Sequence, residues 1–171
     1  MSRNEPRNWW RTQRTALIAV AIAAAAVVGA YVWLDVLPSI RQPDRVIEAG
    51  AEGGSRAVIS GQELELGFVE WGEFDAPGGS RTLSIRLAAS GGPDAASCGT
   101  ATLTERSSSR TWVSSRKGLE LPTGLDETSC LAEPASYRIL LVFLLPDDAE
   151  GPFVLDIEGD DSDVARFTVD P

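Results

Sequence analysis

The chain has 171 residues, two cysteines, no histidine and a net charge of −10. Without histidine the Ser-His-Asp and Cys-His dyads and His-based zinc sites are unavailable, which removes most hydrolase chemistry. Beyond residue 34 the chain sums to −13, and such a surface repels nucleic acid and anionic lipid, whose phosphates call for Lys and Arg.

The first fifteen residues form a basic stub: Arg3, Arg7, Arg11 and Arg14 stand against Glu5 alone. From Ala16 to Leu34 run nineteen residues without a charged or amide side chain. At ~1.5 Å per residue that run covers about 28 Å as a helix, close to the ~30 Å hydrocarbon thickness of a bilayer. Residues 16–37 therefore read as one transmembrane helix. Its basic flank predicts a cytoplasmic amino terminus and an exported remainder. Trp9 and Trp10 before the run, and Tyr31 and Trp33 at its end, suit the headgroup zone. A cleaved signal with its site at Val28-Gly29-Ala30 is the alternative, and it exports the same remainder. Ala21, Ala25 and Gly29 recur at every fourth position, a spacing that permits self-association in lipid and that an Ala-rich span also yields by chance.

Residues 38–54, with Pro38, Pro43, Gly50, Gly53 and Gly54 among charges, read as a flexible tether. Residues 55–171 suffice for one domain. Cys98 and Cys130 both fall in it, on the side placed in an oxidising compartment, so a structural disulfide is expected. Closing a loop of about 33 residues restricts the unfolded chain by roughly 3.7 kcal/mol in the loop-entropy account. A reactive thiol or metal pair would need a low-pKa setting or further ligands.

Within the domain, apolar residues recur with a period of two. Leu64, Leu66 and Phe68 alternate with Glu63, Glu65 and Gly67, after which the other face also becomes apolar through Val69 and Trp71, which predicts a bulge or a second covered face. Leu83, Ile85 and Leu87 alternate with Thr82, Ser84 and Arg86, a half-buried strand with a polar outer face. Further strands are expected at 99–104, 110–114, 137–145, 152–157 and 165–169. In 137–145 both parities are apolar, which predicts a central strand covered on both faces. Turn formers such as Pro77-Gly78-Gly79, Gly91-Gly92-Pro93 and Gly151-Pro152 punctuate these runs. Seven or eight short strands predict an all-β, antiparallel two-sheet sandwich of immunoglobulin-like type.

In its organisation the chain resembles single-pass bacterial envelope proteins in which a basic stub, here Arg7 to Arg14 with Trp9-Trp10, leads through an Ala-rich span to an immunoglobulin-like exported domain. Phe143-Leu144-Leu145-Pro146-Asp147, then Gly151 to Asp156 and Arg166-Phe167-Thr168-Val169, is similar to the last three strands of such domains. The resemblance implies an architecture and no defined activity. The lack of an Asn-x-Ser/Thr sequon and the single lysine, Lys117, point the same way, to a bacterial envelope.

No catalytic residue or cofactor is implied, and the domain reads as a binding or accessory module for an envelope protein or glycan. Two alternatives stay open. Carboxylate pairs such as Glu70 and Glu73, or Asp156 and Glu158, could cleave glycans if they faced one another in a cleft. The acidic run with Asp160, Asp161 and Asp163 could hold Ca²⁺, although acidic turns between strands are commonly just solvated. The Ser-rich basic stretch around Trp112, with Arg110 and Arg116, is the candidate partner contact. A Trp among guanidinium groups suits recognition, and it equally suits core filling beside the disulfide.

Overall fold

The computed structural model describes residues 6–31, 43, 45–49, 55–117, 119, 121–122, 124, 126–160 and 162–171. They fall into two compact units, one within Met1–Gln42 and one within Pro43–Pro171.

The first unit is one helix, α1 (Pro6–Tyr31), which begins inside the expected basic stub. Proline suits the first helical position, where its missing N–H would have no partner anyway. Every side chain from Ala16 to Tyr31 is exposed, Leu17, Ile18, Val20, Ile22, Val27 and Val28 included. Among the described residues no helix is long and apolar enough to cross a membrane. The described apolar part has sixteen residues, about 24 Å of helix at ~1.5 Å each. Val32, Trp33 and Leu34, which complete the expected span, lie outside the described residues, as do Pro38 and most of the expected tether.

In its described residues the second unit is a two-sheet β-sandwich of nine strands: β1 (Arg45–Glu48), β2 (Arg56–Ile59), β3 (Gln62–Trp71), β4 (Ser80–Gly91), β5 (Ala101–Glu105), β6 (Thr111–Val113), β7 (Ser136–Pro146), β8 (Phe153–Glu158) and β9 (Asp163–Val169). One sheet runs β1-β9-β8-β5-β6 and the other β2-β3-β4-β7. All neighbours are antiparallel except β1, which lies parallel to β9. All seven strands located by alternation are present. β1 and β2 are additions, and β1 falls inside the stretch expected to be a tether. Four residues are too few to show a period, and what orders β1 is the edge of β9.

The inner faces supply the core. Leu64, Leu83, Ile85, Phe143 and Leu145 from one sheet meet Leu103, Phe153, Leu155 and Phe167 from the other. Each fully buried side chain of this size contributes about 1.5–3 kcal/mol. The bulge is where expected: β3 slips against β4 between Leu66 and Phe68, so Val69 and Trp71 turn inward and Phe68 turns out, 55% exposed.

β7 is not central. It ends its sheet, and its outer-face residues Leu140 and Val142 are nevertheless buried. The segment after β6 lies along its free edge: Ser115 N donates to Val142 O (3.0 Å), Glu127 N to Arg138 O (2.9 Å) and Leu140 N to Glu127 O (2.9 Å). A loop thus satisfies the edge that a neighbouring strand would otherwise pair. The outer face of β4 is covered in a similar way where Thr82 Oγ1 donates to Phe74 O (2.7 Å), so Thr82 and Ser84, expected to face solvent, are buried.

Candidate functional site

Trp112 stands on β6 opposite the core residue Leu103. Its ring meets the buried Phe153 edge-on at 6.4 Å, and Trp71 meets Phe153 from elsewhere at 5.9 Å. Arg81 covers Trp71 at 3.8 Å and Arg110 lies 5.5 Å from the Trp112 ring. This cluster bridges the two sheets, since Trp71 belongs to one and Trp112 and Phe153 to the other. Trp112 is partly buried against the core.

Arg110 is fully engaged within the chain. Its Nε donates to Glu105 Oε2 (2.9 Å), and its Nη1 donates to both carboxylate oxygens of Asp148 (3.0 Å each). Glu105 also accepts from Ser108 Oγ and from the backbone N of Glu150 (2.7 Å). With 2% of its surface exposed, Glu105 is the one buried charged side chain among the described residues. The Arg110 hydrogen bonds above all, then those from Ser108 and the Glu150 amide, hold its carboxyl down at about 2 against the opposing effect of burial. Arg116 works elsewhere. Its Nη2 donates to the carbonyls of Asp126 (2.6 Å), Glu127 (3.0 Å) and Leu140 (3.0 Å), clamping the edge loop to β7. The structure thus brings Trp112 and Arg110 together and commits both arginines to internal contacts.

Of the acidic run, Asp161 lies outside the described residues. Asp160 Oδ1 accepts from Ser60 Oγ (2.8 Å), and its backbone N donates to the same hydroxyl (3.0 Å), which joins the β8–β9 turn to the β2–β3 turn. Asp163 opens β9, where its carbonyl accepts from Gly159 N (2.7 Å). Among the described residues no group of three or more His, Cys, Asp or Glu could hold a metal ion. Both oxygens of Asp156 are taken by Arg166 (2.7 and 2.8 Å), and Glu158 reaches toward the backbone of Thr100 (3.4 Å). Glu73 is held by both terminal nitrogens of Arg86, which keeps its carboxyl below the usual range, with burial opposing.

The expected disulfide joins Cys98 to Cys130. It links the loop after β4 to the loop before β7, where an immunoglobulin domain would join two facing strands. Beside these loops lies a buried polar hub that the alternation pattern does not reveal. Gln62, fully buried, donates to Ala96 O (3.1 Å) and Leu131 O (2.5 Å). Its Oε1 accepts from the Tyr137 hydroxyl (3.0 Å), which in turn accepts from Leu131 N (2.8 Å). The signal for it is a polar residue directly after the Ser60-Gly61 turn, at a position whose parity points inward.

The outer face of the five-stranded sheet is partly exposed, and Arg106 Nη2 donates to Thr168 Oγ1 (3.1 Å) on it. Strand register places Thr168, Val154, Thr104 and Thr111 in one row across β9, β8, β5 and β6, and Arg166, Asp156, Thr102 and Val113 in the next. Val113 is 56% exposed.

No protein-family model matches the chain, and no curated protein or solved structure is significantly similar to it.

Proposed function

We propose that this chain is a single-pass membrane protein of the bacterial cell envelope, its amino terminus cytoplasmic, whose exported immunoglobulin-like sandwich acts as a binding or accessory module for an envelope protein or glycan. The observation that carries the reading is α1: from Ala16 to Tyr31 its whole circumference is apolar and exposed. A helix apolar all round needs either a protein core or lipid around it. With Val32, Trp33 and Leu34 the run reaches nineteen residues, enough for a span. Arg14 and the arginines before it favour retention on the cytoplasmic side.

Support for the finer fold class comes from strand order. The arrangement β3-β4-β7 against β9-β8-β5-β6 corresponds to strands A-B-E facing G-F-C-C′ of an immunoglobulin sandwich, with the clamped edge loop in place of a D strand. The disulfide fits an oxidising compartment, and the −13 charge fits a soluble exported module that avoids nucleic acid. Of the two carboxylate pairs weighed for glycan cleavage, each has one member held in an ion pair, Asp156 by Arg166 and Glu73 by Arg86, which favours binding over cleavage.

The test is protease added to intact spheroplasts, followed with an antibody to the carboxyl-terminal domain. Cleavage ahead of β1 that releases an intact sandwich is the expected result. A chain left whole while a known exported protein is digested would sink the topology.

A further inference from the structure

The outer face of the four-stranded sheet is hollowed at one place. Strand register sets Val58, Glu63, Ser90 and Ser136 in one row across β2, β3, β4 and β7, and Arg56, Glu65, Ala88 and Arg138 in the next. The outward side chains of β4 in these rows, Ala88 and Ser90, are exposed and are shorter than the neighbours that flank them. A groove of about 290 Å³ lies over them, with Arg56, Glu63 and Glu65 as its charged wall and Ser136 on the other side. Arg56 spans the two carboxylates: its Nη1 lies 3.2 Å from Glu63 Oε1 and its Nη2 3.0 Å from Glu65 Oε2. The second oxygen of each carboxylate has no hydrogen bond among the described residues. Two carboxylates against one guanidinium leave the groove with one negative charge in excess. Phe68 stands beside it. The bulge at Gly67 turns this ring outward, 55% exposed, in the row next to Glu65, roughly 7 Å along the strand at ~3.4 Å per residue.

We propose that this groove binds an amino sugar, as one or two units of a glycan that carry a free amine, an inference that rests on the binding-module reading and chooses between its two partner classes. A sugar ring presents hydroxyls that both donate and accept at its edge and an apolar C–H surface on its face. The free carboxylate oxygens accept from such hydroxyls, Ser90 and Ser136 do either, and the ring of Phe68 takes the apolar face. The excess carboxylate selects an ammonium group over an uncharged or acidic sugar, and an aromatic face adds attraction for a cation within ~6 Å. Arg56 occupies the place between the carboxylates that a bare metal ion would need. A protein partner fits less well, because Glu, Ser and Ala, which make most of the wall and floor, are depleted in protein interfaces. The volume sits at the lower end of small-molecule sites, which begin at ~300 Å³, so the groove suits a short glycan segment.

The test titrates the purified full chain, in a neutral detergent free of sugar, with a glucosamine disaccharide, its N-acetylated form, the matching glucose disaccharide and a trilysine peptide, followed by calorimetry. Saturable binding of the amine form at millimolar concentration is expected, about tenfold tighter than either uncharged sugar, the gain of one charge contact. Ala88→Tyr fills the floor from an exposed strand position without touching a charge, and it should abolish binding. Glu65→Gln should weaken binding to the level of the uncharged sugars, while Glu70→Gln, farther along β3, should leave it unchanged. No saturable binding, equal binding of the three sugars, or Ala88→Tyr and Glu65→Gln chains that bind like the parent overturns the groove site and leaves the exported-module reading standing. Trilysine bound as tightly as the amino sugar overturns the choice of a glycan. The exported location falls separately, to a chain that protease leaves whole in spheroplasts, and that result is independent of what the purified chain binds.

Discussion

Glu105 shows how much a single side chain can carry in a small sandwich. It is buried at the end of β5 and is satisfied by Arg110, Ser108 and the amide of Glu150, so it ties the β5–β6 turn to the loop before β8. Its carboxyl titrates at about 2 in the folded chain, below the ordinary value of 4.5. The proton is therefore bound more tightly by the unfolded chain. The stabilisation is full above about pH 4.5 and is lost as pH falls toward 2. Urea unfolding between pH 6 and pH 2.5 should show a loss of stability in that window, and the loss should shrink in Glu105→Gln, which is less stable than the parent at pH 6. An identical pH profile in the two proteins would remove Glu105 as the cause. Glutamate in a run of alternating residues gives no hint of this, because its parity marks it as inward-facing and its chemistry as outward-facing. The partner that settles the conflict, Asp148-bound Arg110, is contributed by a neighbouring turn.

The longest strands are the ones whose periodicity shows most clearly. β3, β4 and β7 have ten or more residues each, and alternation locates them together with the bulge at Gly67. β1 and β2 have four each. β2 exists because Ser60 and Gly61 both adopt positive φ, 51° and 67°, the two-residue turn that matches the twist of a hairpin. A side chain at Gly61 would come within 2.6 Å of Asp94 O, so glycine is required there twice over. The edge loop between β6 and β7 is an element of another kind: its described residues have almost no regular structure, yet Arg116 and Glu127 seat it on β7 and the Cys98–Cys130 bridge pins its far end. Cys98→Ala together with Cys130→Ala should lower stability by roughly 3–4 kcal/mol in denaturant titration. Limited proteolysis should then cut first within 114–131. A first cut elsewhere would show that the bridge does not hold this loop.

At the scale of the whole molecule the chain has an apolar helix at one end and an acidic sandwich after it. The charge contrast between stub and domain, +3 against −13, sets the proposed direction across a bilayer. Ile22→Asp places a charge near the middle of the apolar run, at a cost of about 2.5–3.5 kcal/mol in insertion. The expected outcome is a shift of the chain from the carbonate-resistant membrane fraction to the soluble one, with the sandwich still folded. Retention of the variant in membranes to the parent's level would speak against a span.

Composition and local pattern were enough to determine the all-β class, seven of the nine described strands, the parity switch in β3 and the disulfide, because each depends on residues close in sequence or on a count of two cysteines. The tertiary structure decided what lies far apart in the chain: that β1 pairs with β9, that β7 is an edge strand covered by a loop, and that Arg110, Arg116 and Trp112 serve contacts inside the domain. Periodicity reports whether a side chain is covered. What covers it is set by which strands become neighbours, and that is fixed by packing across the core.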